Sequence, residues 1–250
     1  RALYSPNTSV VDPNAILSKI QIELNSSGVT ILFNEKVISA NPDSSTIKTN
    51  QGNNFKYGHL INCTGQYSDV VTKMFNVGEQ YTMLPFKGLY YGLNKNSNIR
   101  INGLIYPVPD LNIPFLGIHS VKLVNGGIFF GPTAIPVFGR ENYHGLTGIN
   151  IKDASSVSYH LLKQYISNKK GFRLYAHQEI HKFLKSEFLK SMQNLIPRLS
   201  SDDLVTSTKV GIRAQLLNTN KNELVMDFLV ERVDNTTHVL NAVSPAFTSA

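Results

Sequence analysis

The stretch Asp12–Phe33, DPNAILSKIQIELNSSGVTILF, decides the architecture. Ile16, Leu17, Ile20 and Leu24 recur at helical spacing, Asp12 stands where a capping carboxylate belongs, and Pro13 takes the first helical position, where a missing N–H costs nothing. Gly28 stops the helix, and Val29–Phe33 follows as a short apolar run of strand type. Helix, stop and strand make one crossover of an α/β layer.

The layer continues downstream. From Glu35 to Tyr57 short β-type pieces alternate with Asn, Asp, Ser and Gly, which predicts a small antiparallel meander. His59–Cys63 reads as a second buried strand ending at Thr64 and Gly65, and a helix is expected over Ser68–Phe75 with Val70, Val71 and Met74 inward. After Gly78 the pattern changes. Tyr81–Leu93, Gly103–Val108, Gly117–Leu123 and Gly127–Phe130 are aromatic-rich segments separated by Pro, Gly and Asn, as in an antiparallel sheet with one face free for a ligand. A helical pair follows: Ser155–Ile166 with Val157, Leu161, Leu162 and Tyr165 inward, and Phe172–Met192 with Leu184, Phe188 and Met192 inward. Leu204–Leu216, Leu224–Glu231 and His238–Asn241 return to strands, and Ser244 opens a further helix. The expected fold is α/β plus antiparallel β. Residues 1–77 and 205–250 supply the α/β layer, and residues 78–204 an inserted domain of antiparallel sheet and helical pair.

Composition narrows the function. With 42% apolar residues among 250, the chain can bury a large core, which excludes global disorder. Its 24 Lys and Arg against 17 Asp and Glu suit an anionic ligand, a nucleic acid or an anionic membrane surface. The basic residues form no long run, which argues against a nucleic-acid partner and against a polybasic anchor. Cys63 is the only cysteine, so no intramolecular disulfide forms and a reducing compartment fits. The apolar stretch Gly126–Gly139 is interrupted by Pro132 and Pro136 and is too short to span a bilayer, so a cytoplasmic chain, or one peripheral to the inner membrane, is expected. The chain begins at Arg1 in a strand-like segment and stops at Ala250 in a helical first turn, which reads as part of a longer protein.

Several motifs that would settle the chemistry alone do not occur. There is no G-x-G-x-x-G and no Walker A sequence. His177 and His181 flank Glu179 as H-x-E-x-H, but at 3.6 residues per turn the glutamate falls on nearly the opposite helix face, so no metal site is expected. Cys63 ends an apolar strand with no evident base and reads as a buried structural thiol.

Four ordered stretches carry a resemblance: RALYSPNTSVVD at Arg1–Asp12, INCTGQYSD at Ile61–Asp69, IYPVPDLNIPFLGIH at Ile105–His119, and GIRAQ at Gly211–Gln215 followed by VLNAVSPAFTSA at Val239–Ala250. PFKGLYY at Pro85–Tyr91 and GPTAIPVFGRENY at Gly131–Tyr143 add to them. In order and spacing the chain resembles the L-2-hydroxyglutarate dehydrogenase/oxidase group of the FAD-dependent D-amino-acid-oxidase-like superfamily. The resemblance implies a Rossmann-like FAD-binding layer whose first βαβ unit, with its glycine loop, would precede Arg1, and an inserted substrate domain. It implies a 2-hydroxy dicarboxylate as substrate, with oxygen, a quinone or an electron carrier as acceptor and peripheral membrane association left open.

Carried over residue by residue, the resemblance places the backbone of Val37 against the FAD adenine and Thr64 and Gly65 in the loop beside the cofactor. The SPAFTS segment, with Ser244, Pro245 and Thr248, opens a helix whose free amides would face the flavin. Arg213 resembles the arginine that grips the substrate carboxylate through two parallel charge-assisted bonds. His119 is the candidate base for the substrate hydroxyl. Lys87, standing where this group has arginine, and Tyr90 and Tyr91 are pocket candidates, and Arg140 is an alternative partner for a second carboxylate. Each has a plainer reading: sheet residue for Val37, strand-terminating turn for Gly65, ion pair for the arginines, structural imidazole for His119 and core packing for the tyrosines. Two other functions share these residues, oxidation of an amine or amino acid on the same fold and a non-catalytic binding module.

Overall fold

A computed structural model describes residues 3–108 and 117–242. Helix α1, Pro13–Ser26, forms where its capping signals place it, and the Asp12 carboxylate accepts the Asn14 N–H at 2.9 Å. Its apolar stripe is not covered among the described residues, since Leu17, Ile20 and Leu24 are exposed. Val29–Phe33 forms no strand, contrary to expectation. A strand needs a hydrogen-bonded neighbour, and no described strand runs beside this segment.

The meander is present as β1 (Val37–Asn41), β2 (Thr46–Thr49) and β3 (Asn54–Lys56), an antiparallel sheet in that order. Strand β4, Leu60–Asn62, is shorter than expected and open on one side, with Ile61 65% exposed and Cys63 exposed rather than buried. The expected helix is α2, Ser68–Lys73, and its buried face is Ser68, Asp69, Val71 and Thr72, while Val70 points to solvent.

Strand β5, Tyr81–Leu93, anchors the second part of the chain. It lies in a six-stranded sheet with β6 (His119–Lys122), β7 (Ile128–Gly131), β8 (Ile135–Pro136), β9 (Leu204–Asn218) and β10 (Glu223–Leu224), ordered β10-β9-β5-β7-β6 with β8 also on β5. Strands β5 and β9 pair antiparallel along almost their whole length, from Tyr81 opposite Asn218 to Leu93 opposite Leu204. Strand β9 thus belongs to the six-stranded sheet, so the return to the sheet of β4 comes later than residue 205. It comes with β11 (Leu229–Val233) and β12 (Thr236–Asn241), the latter parallel to β4. Gly103–Val108 contributes a single bridge, Ile105 to Ser120, instead of a strand.

Helix α3, Ile151–Ser167, is capped by the Asn150 side chain and buries Val157, whereas Leu162 and Tyr165 stay exposed. The expected long helix breaks into α4 (Phe172–His181) and α5 (Lys185–Gln193). Phe188 and Met192 are fully buried as expected, but Leu184, at the break, is exposed. Three apolar clusters hold these parts: Phe130, Phe188, Met192 and Leu204 beneath α5; Leu84, Phe86, Val157 and Leu217 beneath α3; and Met83, Leu216 and Leu240, which join the large sheet to β12.

Candidate active site

Side chains alternate along a strand, so register fixes which residues share a face. Phe86 lies opposite Arg213, Gly88 opposite Gly211, Tyr91 opposite Phe130 and His119 opposite Gly131. One face of the large sheet therefore carries Arg213, Gly211 and Lys209 of β9, Phe86, Gly88 and Tyr90 of β5, Phe129 and Gly131 of β7, and His119 of β6. Contacts agree with the register. Lys209 Nζ lies 5.0 Å from the ring centroids of both Tyr90 and Phe129, and the Tyr106 ring stacks on His119 at 4.5 Å. Gly131 has φ +144, and a Cβ there would stand 2.7 Å from the Leu89 carbonyl oxygen and 2.8 Å from Tyr90 Cδ1. Only glycine lets the Tyr90 ring occupy that place.

His119 is 8% exposed, and its Nδ1 lies 2.9 Å from the Gly117 carbonyl oxygen. A carbonyl oxygen only accepts, so Nδ1 carries the proton and Nε2 keeps its lone pair. Burial pushes the imidazole pKa below its ordinary value, the bond to Gly117 opposes that and the Lys209 ammonium adds to it. The ring is therefore neutral at pH 7, the state a base requires.

Arg213 is half-buried, and burial lowers its pKa while Tyr175 of α4 acts in the opposite direction. The Tyr175 phenol is pushed up by burial and by Glu179, against Arg213. Glu179 itself is 7% exposed, accepts the Ala134 N–H at 3.0 Å and pairs with Lys182. The glutamate of the H-x-E-x-H pattern is thus the inward, structural member, and His177 turns away to the Tyr165 hydroxyl at 2.9 Å.

Three candidates are placed elsewhere. Lys87 sits at odd parity on β5, opposite Ile212, so its side chain leaves from the other face of the sheet, where Nζ donates to the Asn142 and Tyr143 carbonyls at 3.1 and 3.3 Å. Arg140 forms a two-pronged pair with Asp69 at 2.7 and 3.0 Å, bonds the Gln66 carbonyl, and has Asp153 at 3.6 Å from Nε. Burial alone would lower its pKa, and the Asp69 carboxylate more than offsets that, so the guanidinium is committed inside the protein rather than offered to a second carboxylate. Tyr91 packs on Phe188 at 4.7 Å as a core residue.

In the first layer Asn62 shapes the turn after β4. Its Oδ1 accepts from the Thr64 N–H and Oγ1 at 3.2 and 2.7 Å, and its Nδ2 donates to the Ser68 carbonyl and to Thr72 Oγ1 at 3.1 and 3.0 Å. The turn runs into a one-turn 3-10 helix, Gly65–Tyr67, which packs against β5 and β9. Gly65 has φ +57 with open space where a Cβ would stand. Ser244, Pro245 and Thr248 lie outside the described residues.

The profile of the FAD dependent oxidoreductase family, DAO, matches residues 1–250. The chain belongs to the FAD-dependent oxidoreductase family. This family member is similar to the L-2-hydroxyglutarate dehydrogenase of Indibacter alkaliphilus, 34% identical over 254 residues covering 100% of the chain and 62% of the relative. It is similar to that of Escherichia coli strain K12, 32% identical over 258 residues covering 99% of the chain and 58% of the relative. The chain thus spans about three fifths of the length of these curated relatives. Its fold is similar to that of an L-alpha-glycerophosphate oxidase from Mycoplasma pneumoniae, with TM-score 0.60 and 16% identity over 91% of this chain and 50% of that one. It is also similar to L-proline dehydrogenase from P. horikoshii, with TM-score 0.54 and 13% identity over 94% and 52%.

The donor set of the first layer fits FAD. Lys36 turns both its N–H and its C=O toward Asn50, so on this outer strand of the meander Val37 turns its own pair outward, the donor and acceptor a purine edge takes. The open space at Gly65 lets backbone approach a ligand closely.

Sequence reasoning missed Lys209, Tyr106, Asn62 and Asp69. Lys209 was within reach of it, because K-V-G-I-R puts 209, 211 and 213 on one face of a strand. Asp69 acts through a contact with a distant segment, Arg140.

Proposed function

We propose that the protein carrying this chain oxidises L-2-hydroxyglutarate to 2-oxoglutarate, passing the electrons on to oxygen, a quinone or another carrier. What supports this is a neutral imidazole whose Nε2 has no hydrogen-bond partner among the described residues, on the same sheet face as the Arg213 guanidinium, in a chain about one third identical to L-2-hydroxyglutarate dehydrogenases over its whole length. Arg213 holds a substrate carboxylate by charge-assisted hydrogen bonds and so fixes the orientation of the neighbouring carbon. His119 Nε2 takes the hydroxyl proton, and the bond from Nδ1 to Gly117 keeps the ring in the tautomer that can do so. The Tyr106 ring stacks on the His119 imidazole and covers part of it with aromatic surface. FAD, when bound, supplies the two-electron sink for the hydride leaving C2. Val37, Thr64 and Gly65 would hold it from the first layer. Among the described residues no helix is long and apolar enough to cross a membrane.

The test is dye reduction by the full-length flavoprotein. Reduction with L-2-hydroxyglutarate and little or none with glycine or D-alanine supports the reading. Preference for an amino acid assigns the protein to amine oxidation, and bound flavin that no 2-hydroxy acid reduces removes the proposal.

A further inference from the structure

Lys209 has no assigned role in the chemistry above, yet its setting is unusual for a lysine. It is half-buried, and among the described residues no carboxylate lies within ion-pair distance of it. What holds its ammonium is aromatic: the faces of Tyr90 and Phe129, each centroid at 5.0 Å. Burial also lowers its pKa, the direction that desolvation imposes on a cation.

The strand supplies the second half of the argument. Lys209 and Arg213 are four residues apart on β9, and the register against β5 shifts beside Lys209, between Thr206 and Val210, while the Tyr90 contact keeps the lysine on the Arg213 side of the strand. Between them lies Gly211, where an added Cβ would meet nothing within 4 Å. The gap is unfilled by the strand itself, and two cations flanking it on one side of the strand suit two carboxylates rather than one. We infer that Lys209 is a substrate-binding residue that pairs with one carboxylate of a short diacid while Arg213 pairs with the other, so that the site selects dicarboxylic over monocarboxylic acids. This deepens the activity proposed above and rests on it for the identity of the substrate. The selecting device is the spacing of two cations on one strand, with Tyr90 and Phe129 fixing the Lys209 head.

The probe is glutarate, a five-carbon diacid with no hydroxyl to oxidise, titrated into the full-length flavoprotein and followed by the flavin spectrum, with pentanoate as the single-carboxylate comparison. Loss of one charged hydrogen-bonding partner corresponds to about a 10- to 150-fold change. Lys209→Met should weaken glutarate binding by that factor and raise KM for L-2-hydroxyglutarate in parallel, with kcat within a few fold and flavin content unchanged. Lys209→Arg should bind glutarate within a few fold of wild type. In the wild type, pentanoate should bind at least 10-fold more weakly than glutarate. Glutarate binding unchanged in Lys209→Met overturns the inference, as does equal wild-type affinity for the two acids. Failure of the wild type to oxidise L-2-hydroxyglutarate while Lys209-dependent glutarate binding persists overturns the activity reading and leaves the diacid site standing.

Discussion

The Arg140–Asp69 pair yields the sharpest quantitative prediction, because every partner of both charges is known among the described residues. Asp69→Asn keeps the shape and can still accept the Met83 N–H, now 3.0 Å from Oδ2, but removes the charge that Arg140 meets at 2.7 and 3.0 Å. Breaking a buried pair from one side costs about 3–5 kcal/mol. Asp153, at 3.6 Å from Arg140 Nε and only partly buried, retains some compensation, which places the loss at the lower end, about 3 kcal/mol. That is roughly a 150-fold shift in the folded-to-unfolded ratio. Urea unfolding of the full-length protein, followed by circular dichroism, measures it in Asp69→Asn, Arg140→Met and the double variant. The two single losses should exceed the loss in the double when summed, with a coupling of about 2 kcal/mol. Additive losses below about 1 kcal/mol would refute the clamp. So would an Arg140→Met protein of normal stability that no longer binds glutarate, since Arg140 would then be a substrate cation after all.

His119→Gln should lower kcat by about 10² to 10⁴. Because the imidazole pKa is lowered and the neutral ring is the active form, wild-type kcat/KM should fall only as pH drops below the ordinary histidine value of about 6.5, and the variant should lose that acid limb; a variant within five-fold of wild type would deny His119 the role of base. Gly131→Ala forces a Cβ into the Leu89 carbonyl and the Tyr90 ring at φ +144, and should cost about 1–3 kcal/mol and weaken glutarate binding, so unchanged stability and binding would contradict the placement of Tyr90. Phe188→Ala empties a fully buried site against Tyr91, and urea unfolding should show a loss of about 3–5 kcal/mol with glutarate affinity intact in the folded protein; a loss under 1 kcal/mol would mean that α5 is not packed as described.

Much of the fold was legible because it is local. The cap at Asp12, the period of α1, the aromatic-rich run of β5 and the break after Gly78 are all written within a few residues of where they act. What failed to read depends on distant partners. Val29–Phe33 has strand composition but no described neighbour to pair with, and the fate of β9 was decided by its register with β5, more than a hundred residues away. The helix expected over Phe172–Met192 has the right period on both sides of Lys182–Leu184, so nothing in the apolar pattern marks the break. At the site, strand parity was the deciding signal. It separates Lys87 from Arg213, brings Lys209 and Tyr90 to the same face, and requires the register of four strands to be known together. The role of Arg140 was hidden for the same reason, since Asp69 lies 71 residues away in sequence.

The central claim is that one face of the large sheet holds a 2-hydroxy diacid by its carboxylates and removes the hydroxyl proton while hydride leaves the same carbon. Anaerobic mixing of the full-length flavoprotein with L-2-hydroxyglutarate, with the flavin absorbance and the acid product followed together, tests it most directly. The flavin should bleach fully with one 2-oxoglutarate formed per flavin, and Arg213→Gln should bleach far more slowly at the same concentration. Flavin that stays oxidised in the wild type, or bleaches equally fast without Arg213, would contradict the account.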